Sequence, residues 1–465
     1  MIWETVIGLE VHVQLGTRSK LFCGCSAGFG DPPNTNVCPV CLGLPGALPV
    51  PNAMAVRLAI RAALALGCRV HERSIFARKS YFYPDLPKGY QISQFDRPLA
   101  TGGRLLVDSA DRGSVAVSIQ RLHLEEDAGK LLHDRIPGKT AIDLNRAGVP
   151  LAEIVSGPDL HSPEDARTYL TALKQILVYA EVSDCSMEKG SLRVDGNISV
   201  RRAGETALGT KTEIKNLNSF ANLERALAAE RDRQIEILER GGQVDQVTLL
   251  FNAGTGSVRP MRSKEASHDY RYFDDPDLPP LVVGAGLLEE TGAELPELPS
   301  AKRLRLMSVY GLGAYDAGVL ASERPIADYF EAVCRAGADP KGAANWIINE
   351  RGEYPEPASL AELIALVAAG TVSHQAARKI YPELAGGSSP RAVAERLGLL
   401  QVGEADALGP WVDEVIAAHP DEVRRFRAGD SRLLAFLTGQ VMKRSRGTAN
   451  PQGVQAMLAR KLEGS

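Results

Sequence analysis

The stretch TVIGLEVHVQL, residues 5–15, decides the fold of this chain, because apolar and polar residues alternate strictly along it. Every odd position from Ile7 to Leu15 is apolar, whereas the even positions are Gly, Glu, His and Gln. A period of two over this length predicts a β-strand with one buried face. On its other face Glu10 and His12 lie about 7 Å apart, so that both can reach one cation or one phosphate. A solvated strand face is the alternative interpretation.

Length and composition set the class of protein. A chain of 465 residues exceeds one ordinary core and predicts roughly two to four domains. With 24% charged and 44% hydrophobic residues it has a globular composition, and its net charge of −4 argues against binding nucleic acid over its whole surface. The sequence shows neither a secretory signal nor a run of about 18 apolar residues, which predicts a cytoplasmic protein without membrane contact.

Four of the seven cysteines are clustered in the pattern Cys23-Gly24-Cys25 followed by Cys38-Pro39-Val40-Cys41. A CxC and a CxxC joined by a spacer rich in Gly, Pro and Asn are typical of a zinc knuckle with four thiolate ligands. Because all four ligand positions are filled, no position is left for water. The spacing therefore predicts a structural zinc site at residues 23–41, and four reduced cysteines in a loop are the alternative.

Further predicted strands also have one apolar and one polar face. Along residues 115–127 the inward phase shifts before Leu122, which predicts a β-bulge, and after the shift His123 and Glu125 share the outer face. Predicted strands at 192–201 and 208–214 resemble it, with charged residues alternating against apolar ones. One polar strand face usually means solvent, but several of mixed charge predict the lining of one cleft.

Between these strands the sequence predicts helices and one aromatic loop. Helices are expected at 52–66, from Ser162 to about 180, and at 219–240, each with a polar cap at its start. The stretch 78–97 contains prolines and glycine among aromatic and basic residues and is interpreted as a substrate loop. Prolines between 274 and 300 mark a domain boundary, and a helical pattern follows it.

The end of the chain is basic. Residues 421–465 contain nine Lys or Arg against four Asp or Glu, within a chain that is acidic overall. The segment Lys443-Arg444-Ser445-Arg446 is predicted to form a loop between helices, and a local basic loop indicates phosphate contact. A solvated charged surface is the alternative.

Several longer motifs resemble those of the B subunit of the aspartyl/glutamyl-tRNA amidotransferases, the GatB family, and the resemblance covers essentially the whole chain. They are ETVIGLEVHV (4–13), YFYPD (81–85), QISQ (91–94), EEDAGK (125–130), DLNR (143–146), KNLNSF (215–220), DYRYF (269–273) and QVMK (440–443). The resemblance implies an α+β protein with an antiparallel-sheet cradle domain (1–290), an all-helical domain (295–403) and a small YqeY-like helical tail that binds tRNA (404–465). Some members of the family lack the zinc cysteines, whereas this chain has all four.

The resemblance also implies a function and partners. The complex is a heterotrimer whose other two subunits, A and C, are an amidase and a small protein, and a non-discriminating aminoacyl-tRNA synthetase is a further candidate partner. The amidase releases ammonia from glutamine. The B subunit uses ATP and Mg²⁺ to phosphorylate the Asp or Glu carboxylate of a mischarged tRNA, and ammonia arriving through a channel then displaces phosphate. Asp-tRNA(Asn) and Glu-tRNA(Gln) both remain candidate substrates.

Acyl-phosphate chemistry needs a metal and cations around the developing charge. The predicted metal ligands are the acidic and imidazole residues of the polar strand faces, namely Glu10, His12, Glu125, Glu126 and Asp195. Mg²⁺ prefers oxygen ligands, so that a His ligand keeps Mn²⁺ open as well. The predicted catalytic cations, for phosphate or the channel, are Lys79, Lys88, Arg193 and Lys211. The predicted contacts to substrate or tRNA are Tyr81, Tyr83, Lys443, Arg444 and Arg446.

Two other functions fit part of the pattern. An ATP-dependent carboxylate–amine ligase for a small molecule would need its own ammonia source, and it leaves the basic tail without a role. A zinc-containing tRNA-binding scaffold without catalysis explains the tail and the cysteines, but not the carboxylates gathered on the strand faces. Because the sequence contains no nucleotide-binding motif, it does not indicate which residues contact the adenine.

Overall fold

The computed structural model describes residues 2–109, 111–261, 270–350, 352–401, 405–445 and 448–463. The chain divides into two compact units, residues 1–298 and 299–465, named here the sheet unit and the helical unit. This division lies within the proline-rich stretch 274–300. The finer domain limits given above remain predictions.

The sheet unit alternates strands with a few helices. Its elements are β1 (Trp3–Gln14), α1 (Pro39–Leu42), α2 (Ala53–Ala65), β2 (Arg69–Val70), β3 (Arg73–Ser74), β4 (Ala77–Ser80), β5 (Tyr90–Ser93), β6 (Ala100–Ser109), β7 (Gly113–Glu126), β8 (Lys130–Ile136), β9 (Lys139–Asp143), β10 (Pro150–Ser156), α3 (Pro163–Tyr179), β11 (Leu192–Arg202), β12 (Thr212–Leu217), α4 (Phe220–Glu239), β13 (Thr248–Asn252), β14 (Ser257–Pro260), β15 (Phe273–Asp274), β16 (Leu281–Val282) and α5 (Ala285–Ala293).

Strand β1 lies at the centre of the largest sheet. Within the described residues this sheet has nine strands in the order β14-β13-β12-β11-β1-β10-β7-β6-β2. Neighbouring strands are antiparallel apart from β12 and β13, which are parallel. The predicted α+β class is confirmed, and the sheet is antiparallel with one parallel pair. The predicted strand at 208–214 is displaced, because β11 continues to Arg202 and the connection to β12 occupies the following residues.

The apolar face of β1 forms the core of the sheet unit. Ile7, Val11 and Val13 have no exposed surface, and their face packs with helices α2, α3 and α4 in one hydrophobic cluster. The predicted helix starts are confirmed, since Asn52, Ser162 and Ser219 cap α2, α3 and α4 through their side chains. The helices cover this face, and the opposite face of the central strands holds the polar residues.

The predicted bulge lies between β7 and β10. The register shifts at Val155 and Ser156, which pair with Arg121 and Ile119, so that Gln120 is the extra residue. The bulge restores the pairing of His123 with Glu153 on the polar face. A small sheet in the order β15-β4-β5 contacts β7 next to this position.

The helical unit has two separate hydrophobic cores. Its elements are α6 (Pro299–Tyr310), α7 (Ala314–Leu320), α8 (Arg324–Arg335), α9 (Pro340–Asn349), α10 (Pro357–Ala368), α11 (His374–Ile380), a 3₁₀ segment (Tyr381–Gly386), α12 (Pro390–Arg396), α13 (Ala405–Ala418), α14 (Pro420–Arg427), α15 (Leu433–Arg444) and α16 (Pro451–Glu463). One core joins α6–α12 and the other joins α13–α16. No helix in the described parts of the chain is long and apolar enough to cross a membrane.

Candidate functional site

Three side chains from three neighbouring strands form the centre of the polar face. His12 in β1 pairs in register with Glu153 in β10, and Glu125 follows His123 on β7. His12 Nε2 lies 3.4 Å from Glu125 Oε1 and 3.3 Å from Glu153 Oε2. Their ligand atoms all lie within 4.8 Å of one another, which is close enough for one metal ion. We call His12, Glu125 and Glu153 the carboxylate–imidazole triad.

A second imidazole lies behind the triad. The buried His123 places Nε2 3.3 Å from Glu153 Oε2 and 3.8 Å from Glu125 Oε2. Burial disfavours the charge of His123, but Glu153 and Glu125 outweigh it and raise the pKa of His123 to about 9. Burial likewise opposes ionisation of Glu153, yet His123 and His12 hold the pKa of this carboxyl far below its usual value. The two carboxylates therefore stay ionised where a cation can reach them.

The three consecutive carboxylates at the end of β7 have three different cationic neighbours. Glu125 belongs to the triad, whereas Glu126 pairs with Lys88 and accepts a 2.8 Å hydrogen bond from the Ile92 amide. Asp127 pairs with Arg193 at 2.8 Å. Successive residues of a strand face opposite sides, so that Glu126 is directed away from the triad.

The other two predicted metal ligands lie beside the triad rather than in it. Glu10 and Asp195 are register partners of each other on β1 and β11. Glu10 accepts a 3.0 Å hydrogen bond from Asn197, and Asp195 pairs with Lys215 at 2.9 Å. Glu153 was missing from the sequence-based set. Its signal in the sequence is a single carboxylate within the otherwise apolar, fully buried strand β10.

The predicted cations occupy different positions. Lys88 and Arg193 are bound by Glu126 and Asp127, as described above. Lys211 donates a 3.2 Å hydrogen bond to Asn197 Oδ1, close to Glu10. Lys79 lies against the ring of Tyr270, with Nζ 4.7 Å from the ring centroid. Burial works against its charge, but Tyr272 and Glu125 help to raise the pKa of Lys79, which places its ammonium within the field of the triad.

A groove of about 650 Å³ extends along the polar face from Val6 to Glu10. Arg121, Asn197 and Lys211 line it, and apolar walls come from residues such as Leu208. Arg121 also lies 3.7 Å from Glu153 Oε1, which joins the groove to the triad. The groove thus provides apolar surface and cations next to a possible metal site.

The predicted tyrosines separate into two places. Tyr81 lies in an aromatic cluster with Tyr270, at a centroid distance of 6.1 Å. Tyr83 is 56% exposed and lies on the outer loop with Phe82 and Pro84. The structure therefore brings Tyr81, but not Tyr83, next to Lys79. The first residue of the motif DYRYF, Asp269, lies outside the described residues.

The four clustered cysteines converge at a second possible metal site. The sulfur of Cys41 lies 3.5 Å from Cys23, 3.7 Å from Cys38 and 3.9 Å from Cys25. A hydrogen bond from Cys23 and the nearby Lys20 ammonium lower the pKa of Cys41 well below its usual value. Four sulfurs this close could hold one metal ion.

The motif DLNR (143–146) positions the loop that contains these cysteines. Asn145 Oδ1 accepts a 2.8 Å hydrogen bond from the Asn36 amide, and Asp143 accepts one of 3.1 Å from Asn34. Lys20 Nζ donates to the carbonyl of Asn36 at 2.7 Å and to Cys41 at 3.4 Å. The cysteine loop is therefore tied to the sheet unit by polar contacts in addition to any metal.

The basic segment of the tail differs in part from the predicted loop. Lys443 and Arg444 form the last turn of α15, and Arg444 pairs with Glu414 on the surface. Arg446 lies outside the described residues. The charge at this helix end is thus partly neutralised within the tail.

The sheet, the buried triad and the helical second unit define the catalytic-subunit class of this fold. The GatB/GatE catalytic domain matches residues 5–289, and the GatB domain matches residues 328–462. The chain belongs to the GatB/GatE family.

Its relatives match it from end to end. The chain is 50% identical to the B subunit of the aspartyl/glutamyl-tRNA(Asn/Gln) amidotransferase from Moorella thermoacetica over 477 residues, which covers 99% of this chain and 100% of the relative. The corresponding protein of Geobacter sulfurreducens is 49% identical over the whole of both chains. That of Anaeromyxobacter dehalogenans is 50% identical over 99% of both.

Proposed function

We propose that this chain is the carboxylate-activating subunit of an ATP-dependent aspartyl/glutamyl-tRNA(Asn/Gln) amidotransferase. The observation that supports this most strongly is the position of the carboxylate–imidazole triad beside a groove with free space and cations. The identity of about one half to relatives named as B subunits, over the full length, supports the same activity. The reaction belongs to the ATP-dependent carbon–nitrogen ligases.

The triad fits a divalent cation. Two buried carboxylates and one imidazole offer oxygen and nitrogen ligands, and burial of two ionised carboxylates is favourable only with compensating positive charge. Mg²⁺ is the expected ion, and the His ligand makes Mn²⁺ an effective substitute. A bound cation would neutralise phosphate charge during transfer. Glu10 and Asp195, on the same face, would act through water or neighbouring side chains.

The groove fits ATP. Its apolar wall around Leu208 suits a base, and Arg121 and Lys211 suit phosphate oxygens. Because Arg121 also lies near Glu153, phosphates bound by it would point toward the triad. We therefore assign the adenine to the end near Val6 and Leu208 and the γ-phosphate to the end near Glu10.

The chemistry follows from the weakness of a carboxylate as an electrophile. Its oxygen attacks the γ-phosphorus, the bond to ADP breaks, and the carboxyl group becomes an acyl phosphate. Ammonia then attacks the carbonyl carbon, phosphate leaves and the amide forms. Arg121 and Lys211 would orient the phosphates, and Lys79 would stabilise the negative charge that develops at the carboxyl group.

The remaining features fit a component of a larger enzyme. The relatives are named as B subunits, which implies further subunits. We assign these, A and C, to an amidase that frees ammonia and to a small protein, with cytoplasmic mischarged tRNA as substrate. Zinc at Cys23, Cys25, Cys38 and Cys41 would be structural, and the segment from about 404 onward would bind tRNA. A non-discriminating synthetase is a further partner.

A direct test uses the complex purified with its partner subunits. We expect ATP hydrolysis and amide formation only when Asp-tRNA(Asn) or Glu-tRNA(Gln) is present together with glutamine. ATP consumption with free aspartate or glutamate would indicate a small-molecule ligase instead. Binding of charged tRNA without any ATP consumption would indicate a scaffold.

A further inference from the structure

An aromatic cluster lies at the edge of the small sheet formed by β15, β4 and β5. It consists of Tyr81, Phe95, Tyr270 and Tyr272. Phe95 and Tyr272 are stacked, with ring centroids 4.1 Å apart and planes inclined by 7°. Tyr270 lies 6.1 Å from Tyr272 and 6.1 Å from Tyr81, edge to face in both pairs. The four rings therefore form one continuous surface.

The cluster is joined to the triad by two short connections. Ser93, at the end of β5, donates a 3.3 Å hydrogen bond to Glu125 Oε2, and Phe95 follows two residues later. Lys79 contacts the ring of Tyr270 at 4.7 Å, and its ammonium also senses the charge of Glu125. A group held by the rings would thus lie within reach of the triad.

The stacked pair is open to solvent. Phe95 is 51% exposed, and none of the four rings belongs to the hydrophobic core found among the described residues of the sheet unit. Arg271, between Tyr270 and Tyr272, has a φ of 45°, a conformation that a residue with a side chain adopts at a cost. Exposed rings beside a cation, held by a strained backbone, are typical of a surface for stacking an unpaired base.

We propose that this aromatic cluster binds the 3′-terminal adenosine of the charged tRNA, whose base stacks on Phe95 and Tyr272. The amino acid is esterified to the ribose of that nucleoside, so that stacking of the base places the side-chain carboxylate near Lys79 and the triad. This inference rests on the proposed function. It separates two adenosines, because that of ATP is assigned to the groove on the far side of His12 along β1.

The test compares the complex with Phe95→Ala and Tyr272→Ala against its parent, with Tyr315→Ala as control. Tyr315 is 77% exposed in the helical unit and lies outside the cluster. The ligand is a 3′-aspartylamido-3′-deoxyadenosine, a stable amide analogue of the charged end, and its binding is followed by calorimetry. Each cluster variant should weaken this binding by about 10-fold or more, and Phe95→Tyr should retain it. The melting midpoint of each variant shows whether it is folded.

Kinetics provide the second measurement. The KM for charged tRNA should rise in both cluster variants, while the KM for ATP and the glutaminase rate stay at parental values. Unchanged binding of the analogue would overturn the inference, and so would a rise in the KM for ATP, which would assign the rings to the ATP base. If the parent itself forms no amidated tRNA, the proposed function fails, and the calorimetry still decides whether the cluster binds the nucleoside.

Discussion

At the scale of single residues, the charge state of His123 decides how the two buried glutamates are tolerated. Its imidazole lies between Glu153 and Glu125 and is almost fully buried. Because its pKa is raised to about 9 in the folded protein, its ion pairs stabilise the fold fully below the unfolded value near 6.5. This contribution declines as the pH rises through 9.

We therefore expect chelator-treated protein to lose stability between pH 6.5 and 9, by on the order of 3 kcal/mol at most. Denaturant titrations at several pH values measure this loss. His123→Asn should be less stable at pH 6.5 and should show a much flatter profile above it. An equally steep decline in His123→Asn would assign the pH dependence to other groups.

A second residue-scale prediction concerns Lys211, which lines the groove and contacts Asn197. If Lys211 contacts ATP phosphates, Lys211→Ala should raise the KM for ATP by roughly 10-fold, as expected for the loss of a charge-assisted hydrogen bond. The KM for charged tRNA should stay near the parental value. Lys189→Ala is the matched control, because Lys189 pairs with Asp184 on an exposed surface. An unchanged KM for ATP would place the nucleotide elsewhere.

At the scale of secondary-structure elements, strand periodicity predicted most of the site. The alternation along β1 indicated that Glu10 and His12 share a face, and the phase shift in β7 correctly indicated the bulge that orients His123 and Glu125. The same alternation excludes Glu126 from that face, although adjacent carboxylates in the sequence appear equivalent. Periodicity is a local signal and therefore predicts faces better than partners.

Long-range pairing explains what the sequence did not reveal. Glu153 reaches the triad because β10 pairs with both β1 and β7, and no local pattern indicates that arrangement. The groove likewise combines residues from β1, β11 and the connection before β12. The aromatic cluster depends on the pairing of β15 with β4, which lie nearly 200 residues apart in sequence. The start of β12 was misplaced because the connection before it still alternates like a strand.

The cysteine loop gives a prediction at the same scale. Elemental analysis of protein purified under reducing conditions should find one zinc per chain, and Cys38→Ser should abolish it. Since the loop has little core of its own, we expect the melting midpoint of Cys38→Ser to fall by roughly 5 °C or more. Cys334→Ser, in the helical unit and outside the cluster, should retain zinc. Parent protein without stoichiometric zinc would contradict the assignment.

At the scale of the whole molecule, chemistry and tRNA affinity are assigned to different units. The triad and groove lie in the sheet unit, and the excess of basic residues lies in the tail of the helical unit. Exposed pairs such as Arg444 with Glu414 contribute little stability, so that Arg444 can exchange its partner for a phosphate at small cost.

Changing Lys443, Arg444 and Arg446 together to Ala should therefore raise the KM for charged tRNA and reduce its salt dependence. The log–log slope should fall by roughly 0.7–0.9 for each phosphate that the variant no longer neutralises. Activity at saturating tRNA should largely return, as expected for uniform binding. Titrations of tRNA at two salt concentrations measure both effects. An unchanged affinity and slope would mean that this segment is only a solvated surface.

The central claim is that the carboxylate–imidazole triad activates the carboxylate of the charged tRNA. The most direct measurement compares amidation by the complex with Glu125→Gln and by its parent, with either glutamine or ammonium chloride as the nitrogen source. Glu290→Gln, an exposed partner of Arg57, is the matched control. We predict that Glu125→Gln lowers amidation by roughly 100-fold with both nitrogen sources, while glutamine hydrolysis by the partner amidase remains measurable. Amidation by Glu125→Gln at a rate near that of the parent would contradict the account.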